Sequence, residues 1–172
     1  MNALKSGILL LALLTAPAFS EAGLVSLTVM GSGEIPDNGE SKIGPGAGAQ
    51  GILQLGTSSW MTLTARSGYV HYFAEDATPA VNLIPIMGGI KFPFQEIHLY
   101  LTGEVGAALT HQESSSTAAA VDHTGLAWGL GLGSEVGPLD LRLSFNVLDM
   151  QKNAETAKAI GLMLGFRLWD NL

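Results

Sequence analysis

The chain of 172 residues has no cysteine. That excludes a disulfide framework, an iron–sulfur cluster and a thiolate zinc site. It also excludes a lipoprotein, which needs a cysteine at its cleavage site. Charge is scarce: 13% of residues carry it, about half the ~25% of an average soluble domain. A surface this poor in charge is not an ordinary soluble one. With 47% hydrophobic residues, the chain is not a disordered one either. Basic residues are the scarcest, 8 Lys and Arg against 15 Asp and Glu. The net charge of −7 argues against a nucleic-acid partner, which needs a basic patch. No stretch after residue 22 approaches the ~20 apolar residues of a spanning helix. The length suits one domain.

Residues 1–22 read as a secretory signal peptide. Lys5 is the only charge before residue 21, and an apolar stretch runs from Gly7 to Leu14. Small residues then offer cleavage after Ser20 or after Ala22, the second being preferred. The mature chain is then 23–172, a single domain.

That mature chain has period two throughout. Eight segments are expected as strands: 24–33, 47–56, 60–69, 83–92, 97–109, 125–133, 139–148 and 160–169. In each, one parity is apolar and the other small or polar. The last four are the plainest, as in Leu139, Leu141, Leu143, Phe145 and Val147 against Asp140, Arg142, Ser144 and Asn146. Ile52 breaks the pattern of the second segment. Long connections (34–46, 70–82, 110–124, 149–159) alternate with short turns (57–59, 93–96, 134–138). This rhythm is that of outer-membrane barrels, with short periplasmic turns and long external loops.

The polar parity decides which face meets lipid. On a soluble barrel it would be the solvent surface and would be rich in charge. Here it is mostly Gly, Ala, Ser, Thr and Gln, with six charges: Arg66, Lys91, Glu104, Asp140, Arg142 and Arg167. Small polar residues with a few opposite charges suit the narrow interior of an eight-stranded barrel. The apolar parity, mostly Leu and Ile, suits a lipid-facing band. Two aromatic girdles are expected: Trp60, Phe92, Phe94 and Trp169 at the periplasmic end, and Tyr69, Tyr72 and Phe73 at the other. The expected fold is an all-β, closed, eight-stranded, antiparallel up-and-down transmembrane β-barrel. It would sit in the bacterial outer membrane with its lipid as partner and both termini in the periplasm.

The strand pattern and loop rhythm, with phrases such as Pro85-Ile86-Met87-Gly88-Gly89-Ile90-Lys91 and Leu101-Thr102-Gly103-Glu104-Val105-Gly106, resemble the small outer-membrane barrels of the OmpA/OmpX-like kind. The resemblance covers 23–172 and implies an architecture rather than an activity. It also implies recognition by the barrel-assembly machinery, which reads an alternating last strand ending in Phe. Leu162, Leu164, Phe166 and Leu168 keep that parity, and Asp170 departs from it.

Candidate chemistry is sparse. Gly129-Leu130-Gly131-Leu132-Gly133 lacks the third spacing of a phosphate-binding loop and has no following helix. Facing the lumen, these glycines would make room for Tyr100 and Arg142. Residues 110–124 hold His111, Glu113, Ser114, Ser115, Ser116, Asp122 and His123, residue types that hydrolases and metal sites use. The His-x-Ser arrangement of the outer-membrane deacylases is absent. The six inward charges should pair, because unpaired charge in a low-dielectric lumen is costly. By depth, Arg66 and Arg142 are the candidate partners of Glu104, while Lys91, Asp140, Arg142 and Arg167 group towards the periplasmic end. The external loops carry nine acids against three lysines, a rim that attracts cations or a basic surface. No catalytic residue, cofactor or metal is assigned. The expected function is non-enzymatic: a structural or surface-interaction barrel with a side-chain-filled lumen, presenting four polar loops to an extracellular partner. Two alternatives are an outer-membrane lipid-modifying hydrolase using residues 110–124, and a soluble periplasmic lipocalin-like barrel that binds an apolar ligand.

Overall fold

The computed structural model describes residues 25–36, 44–58, 60–74, 79–113, 121–149 and 156–170. The export signal expected over 1–22 lies outside them. Eight strands follow in order: β1 (Val25–Pro36), β2 (Gly46–Ser58), β3 (Met61–Tyr72), β4 (Val81–Phe94), β5 (Leu99–Gln112), β6 (Val121–Val136), β7 (Leu139–Asp149) and β8 (Thr156–Asp170). Each pairs antiparallel with the next, and β8 pairs with β1 to close the barrel. Closure leaves no strand edge, and in lipid every backbone polar group must find its partner inside the protein. The fifth strand does not begin at residue 97. Gln95–Ile97 form a single 3-10 turn, and His98 takes a positive φ of 54° before β5 starts at Leu99.

The apolar parity faces outward. Leu130, Leu141, Leu143, Leu162, Leu164 and Phe166 are all exposed on the outer face. An apolar exterior this continuous is a membrane surface. A lipocalin-like barrel needs the opposite arrangement, so the soluble alternative is overturned. Trp60 and Phe92 stack at 6.3 Å beside exposed Phe94, and exposed Tyr69 and Phe73 mark the other end. From Trp60 to Tyr69 the chain climbs roughly 23 Å at the usual strand rise and tilt, close to the ~25 Å apolar band of such barrels. Tyr72 does not join the external girdle. Its position continues the inward parity of Thr62, Thr64 and Arg66, and it is fully buried in the lumen.

At the end with the long connections every strand is longer than its hydrophobic pattern. β1, β3 and β5 continue to Pro36, Tyr72 and Gln112, and β4, β6 and β8 begin at Val81, Val121 and Thr156. The reason is an inversion of parity. Within the band, outward residues are apolar and inward ones polar. Above it, His71, Asn82, His111, Asp122 and Lys158 face out, while Val70, Tyr72, Val81, Leu83, Met87, Ala108, Ala127, Leu148 and Ala157 form a buried apolar cluster inside. There the wall is patterned like a soluble barrel, because its outside meets water. The ladder of hydrogen bonds carries on through the change.

Candidate functional site: the lumen and the outer rim

The inward side chains form two ionic clusters below the apolar one. The upper cluster centres on Glu104, whose strand neighbours in register are Gly89 and Gly129. Arg142 donates to both carboxylate oxygens, Nη1 to Oε1 at 2.9 Å and Nη2 to Oε2 at 2.8 Å. Arg66 Nε donates to Oε2 at 2.8 Å. The other Arg66 nitrogens donate to Gln50 and, at 3.5 Å, to Asn146. Gln50 donates onward to Ser32 and Glu34, and the Tyr72 hydroxyl donates to Glu34. Bidentate, charge-assisted bonds of this kind are the strong ones.

The lower cluster lies at the end that carries the short turns. Glu135 accepts from Lys91 and, at 2.8 Å, from Arg167 Nη2. Lys91 also donates to Gln54 at 2.9 Å and sits 4.5 Å from the centre of the Tyr100 ring. Tyr100 donates to Asp140 at 2.6 Å. Arg142 does not group with Asp140 at this end. Its long side chain reaches up to Glu104 instead.

Two lumen acids lie where the sequence pattern predicts connections, Glu34 in a loop and Glu135 in a turn. Both are in strands on the inward parity. With them the lumen holds, among the described residues, four cations (Arg66, Lys91, Arg142, Arg167) and four anions (Glu34, Glu104, Glu135, Asp140). The signal that finds them is parity carried two residues beyond the last inward position of each expected strand, Ser32 and Gly133.

The glycines of β6 face this machinery. A Cβ on Gly131 would lie 2.6 Å from Arg142 Nε, and one on Gly133 only 2.2 Å from Tyr100 Cζ. The ring is buried and its hydroxyl is held by Asp140, so swinging it aside breaks that bond. Gly133→Ala is expected to destabilise the barrel by about 1–3 kcal/mol through overpacking, read as an earlier loss of heat-modifiable mobility on gels. An unchanged midpoint would show that Tyr100 is free to move.

On the outer rim, His111 and Asp122 are cross-strand partners with Nδ1 and Oδ1 2.6 Å apart. In the same row Asn82 meets His71 at 2.8 Å, accepts from Tyr69, and donates to Glu113 at 3.3 Å. The loop expected over 110–124 is shorter than that, because Thr110–Gln112 belong to β5 and Val121–Thr124 to β6. His123 turns inward, and its carbonyl accepts from the Thr110 hydroxyl at 3.2 Å. Ser114, Ser115 and Ser116 lie outside the described residues.

A closed eight-stranded barrel, apolar outside and charged inside, is a transmembrane barrel of the outer-membrane type. In fold it is similar to Ail, the attachment invasion locus protein of Yersinia pestis, at a TM-score of 0.61 and 16% identity, over 85% of this chain and 99% of that one. It is also similar to the N-terminal β-barrel domain of Pseudomonas aeruginosa OprF, at a TM-score of 0.64 and 16% identity, over 83% and 97%. Neisserial surface protein A matches at a TM-score of 0.59 and 12% identity, over 87% and 96%. No protein-family model and no curated protein sequence matches the chain.

Proposed function

We propose that the protein is a non-enzymatic barrel of the bacterial outer membrane that holds four polar loops outside the cell as a binding surface. The supporting observation is the lumen: two charge-balanced ionic clusters and an apolar cluster fill it at successive heights. A barrel so filled has no room for an aqueous path, and the external surface is left as the working part. In this reading the lumen charges Arg66, Lys91, Glu104, Asp140, Arg142 and Arg167, with Glu34 and Glu135, fix strand register and close the barrel.

The rim favours a basic partner. With Glu34 turned inward, eight of the nine acids expected on that rim remain against Lys42, Lys152 and Lys158. Ail has been crystallised with the heparin analogue sucrose octasulfate, but an acidic rim repels such a polyanion. Residues 1–22 are a cleaved export signal in this reading, so protein recovered from outer membranes is expected to begin at Gly23. The outward row Leu162, Leu164, Phe166 and Leu168 on β8 supports recognition by the barrel-assembly machinery.

The chain has no cysteine, so a single cysteine placed within residues 114–120 can be read without background. A membrane-impermeant maleimide is expected to label it on intact cells. Labelling only after the outer membrane is ruptured would reverse the proposed orientation. Replacing 114–120 by a short Gly/Ser linker is expected to leave folding intact, since external loops tolerate change. The hydrolase reading has one observation in its favour, the His111–Asp122 pair. Labelling of the protein by a fluorophosphonate, lost in His111→Ala, would establish it.

A further inference from the structure

The lipid-facing surface of β4 to β8 is not smooth. A groove of about 570 Å³ crosses it. One bank is the row Leu101, Leu132 and Leu143, which are successive cross-strand partners. The other is Leu130, Phe145 and Ile160, also successive partners. The floor is the paired residues Thr102, Gly131 and Ser144. Their side chains belong to the inward parity, so they offer the groove their backbone. The second bank should continue onto β5, but the residue there is Gly103, paired with Leu130. A Cβ at that position would come no closer than 3.9 Å to Leu130 Cδ2. The glycine therefore leaves open volume rather than relieving a clash.

The groove has a direction. At β4 its wall is Phe92, in the periplasmic aromatic girdle. At β5 it lies near the strand start, at β7 in mid-strand, and at β8 beside Ile160, closer to the external end. It therefore climbs obliquely from the periplasmic interface through the centre of the apolar band to its external edge at Ile160, as rows in a tilted barrel do. Phospholipids of the inner leaflet place a head group at that interface and an acyl chain along that path. A second barrel would present a convex wall to the groove, whereas a single chain can lie in it.

We propose that this groove is a binding site for one acyl chain of a periplasmic-leaflet phospholipid. The geometry gives the chain two aliphatic banks, a backbone floor and an aromatic mouth. Native mass spectrometry of the barrel extracted from membranes into mild detergent tests this directly. Wild type is expected to retain one phospholipid per barrel. Gly103→Leu fills the groove and is expected to retain about tenfold less, because the acyl chain can no longer bury its surface there. Gly31→Leu places the same side chain on the outer face of β1, where it meets only ordinary van der Waals neighbours, and is expected to retain as much as wild type. Heat-modifiable mobility checks that each variant is folded. If Gly103→Leu is not, Leu130→Phe narrows the groove from its other bank and is read in the same way. Equal retention in wild type and the filled variant would overturn the site. So would a wild type that carries no lipid, or one that is a dimer dissociated by Gly103→Leu.

Discussion

Glu104→Ala is expected to destabilise the barrel by about 3–5 kcal/mol. The carboxylate takes three charge-assisted hydrogen bonds from Arg66 and Arg142, and all three side chains are almost wholly buried. Removing it leaves two guanidinium groups facing each other in a site that water cannot readily enter. The loss is in the unpaired cations, not in the worth of the pair itself. Replacing Glu104, Arg66 and Arg142 together by apolar residues of similar size is therefore expected to cost less than Glu104→Ala alone. Urea midpoints in lipid vesicles, with gel mobility as a second reading, measure both. A single variant as stable as wild type would mean that the two guanidinium groups are not left unpaired but find water or other partners.

The same variant tests closure. Glu104 lies below the apolar cluster of Val70, Leu83, Met87, Ala108 and Leu148, which contains no ion pair to break. Folded Glu104→Ala barrels in a planar bilayer are accordingly expected to conduct no more than wild type. Steady current would show that the ionic cluster, and not the apolar one, holds the lumen shut.

The parts of this fold that lie in lipid are legible in the sequence because lipid imposes one rule. Every outward position from Leu139 to Phe145, or from Ile160 to Leu168, must be apolar, and the inward ones are then free to be Asp140, Arg142 or Gly165. Where the strands leave the membrane that rule lapses. His71, Asn82, His111 and Asp122 face out, so the apolar alternation stops and the pattern predicts a loop where the wall continues. Glu34 and Tyr72 escape the pattern for that reason, although each simply extends its strand's inward parity. The charge count of the lumen suffers with them. Four bases against two acids is an imbalance, and its remedy is two acids beyond the expected strand ends. Arg142 shows a different limit. Backbone depth places it with Asp140, but the length of its side chain carries the charge to another level.

Leu164→Arg is expected to cost about 2–4 kcal/mol, the range for arginine on the lipid face at the bilayer midplane. Leu164 is outward and well exposed on β8. It stands at the centre of the outward apolar run from Ile160 to Leu168, with Lys158 beyond its external end. No neighbour on that face can take the charge: its cross-strand partners are Gly31 and Leu141. Leu168 gives the internal comparison. It is the last outward residue of that run, nearest the periplasmic end of β8, so Leu168→Arg can reach the interface and is expected to lose about 0–1 kcal/mol. The contrast separates a membrane barrel from one that merely has an apolar surface. In lipid vesicles the two substitutions should differ by several-fold in folded fraction, and the deeper one should be worse. If both arginines were tolerated equally, depth would not matter and the apolar exterior would not be embedded in a bilayer at all.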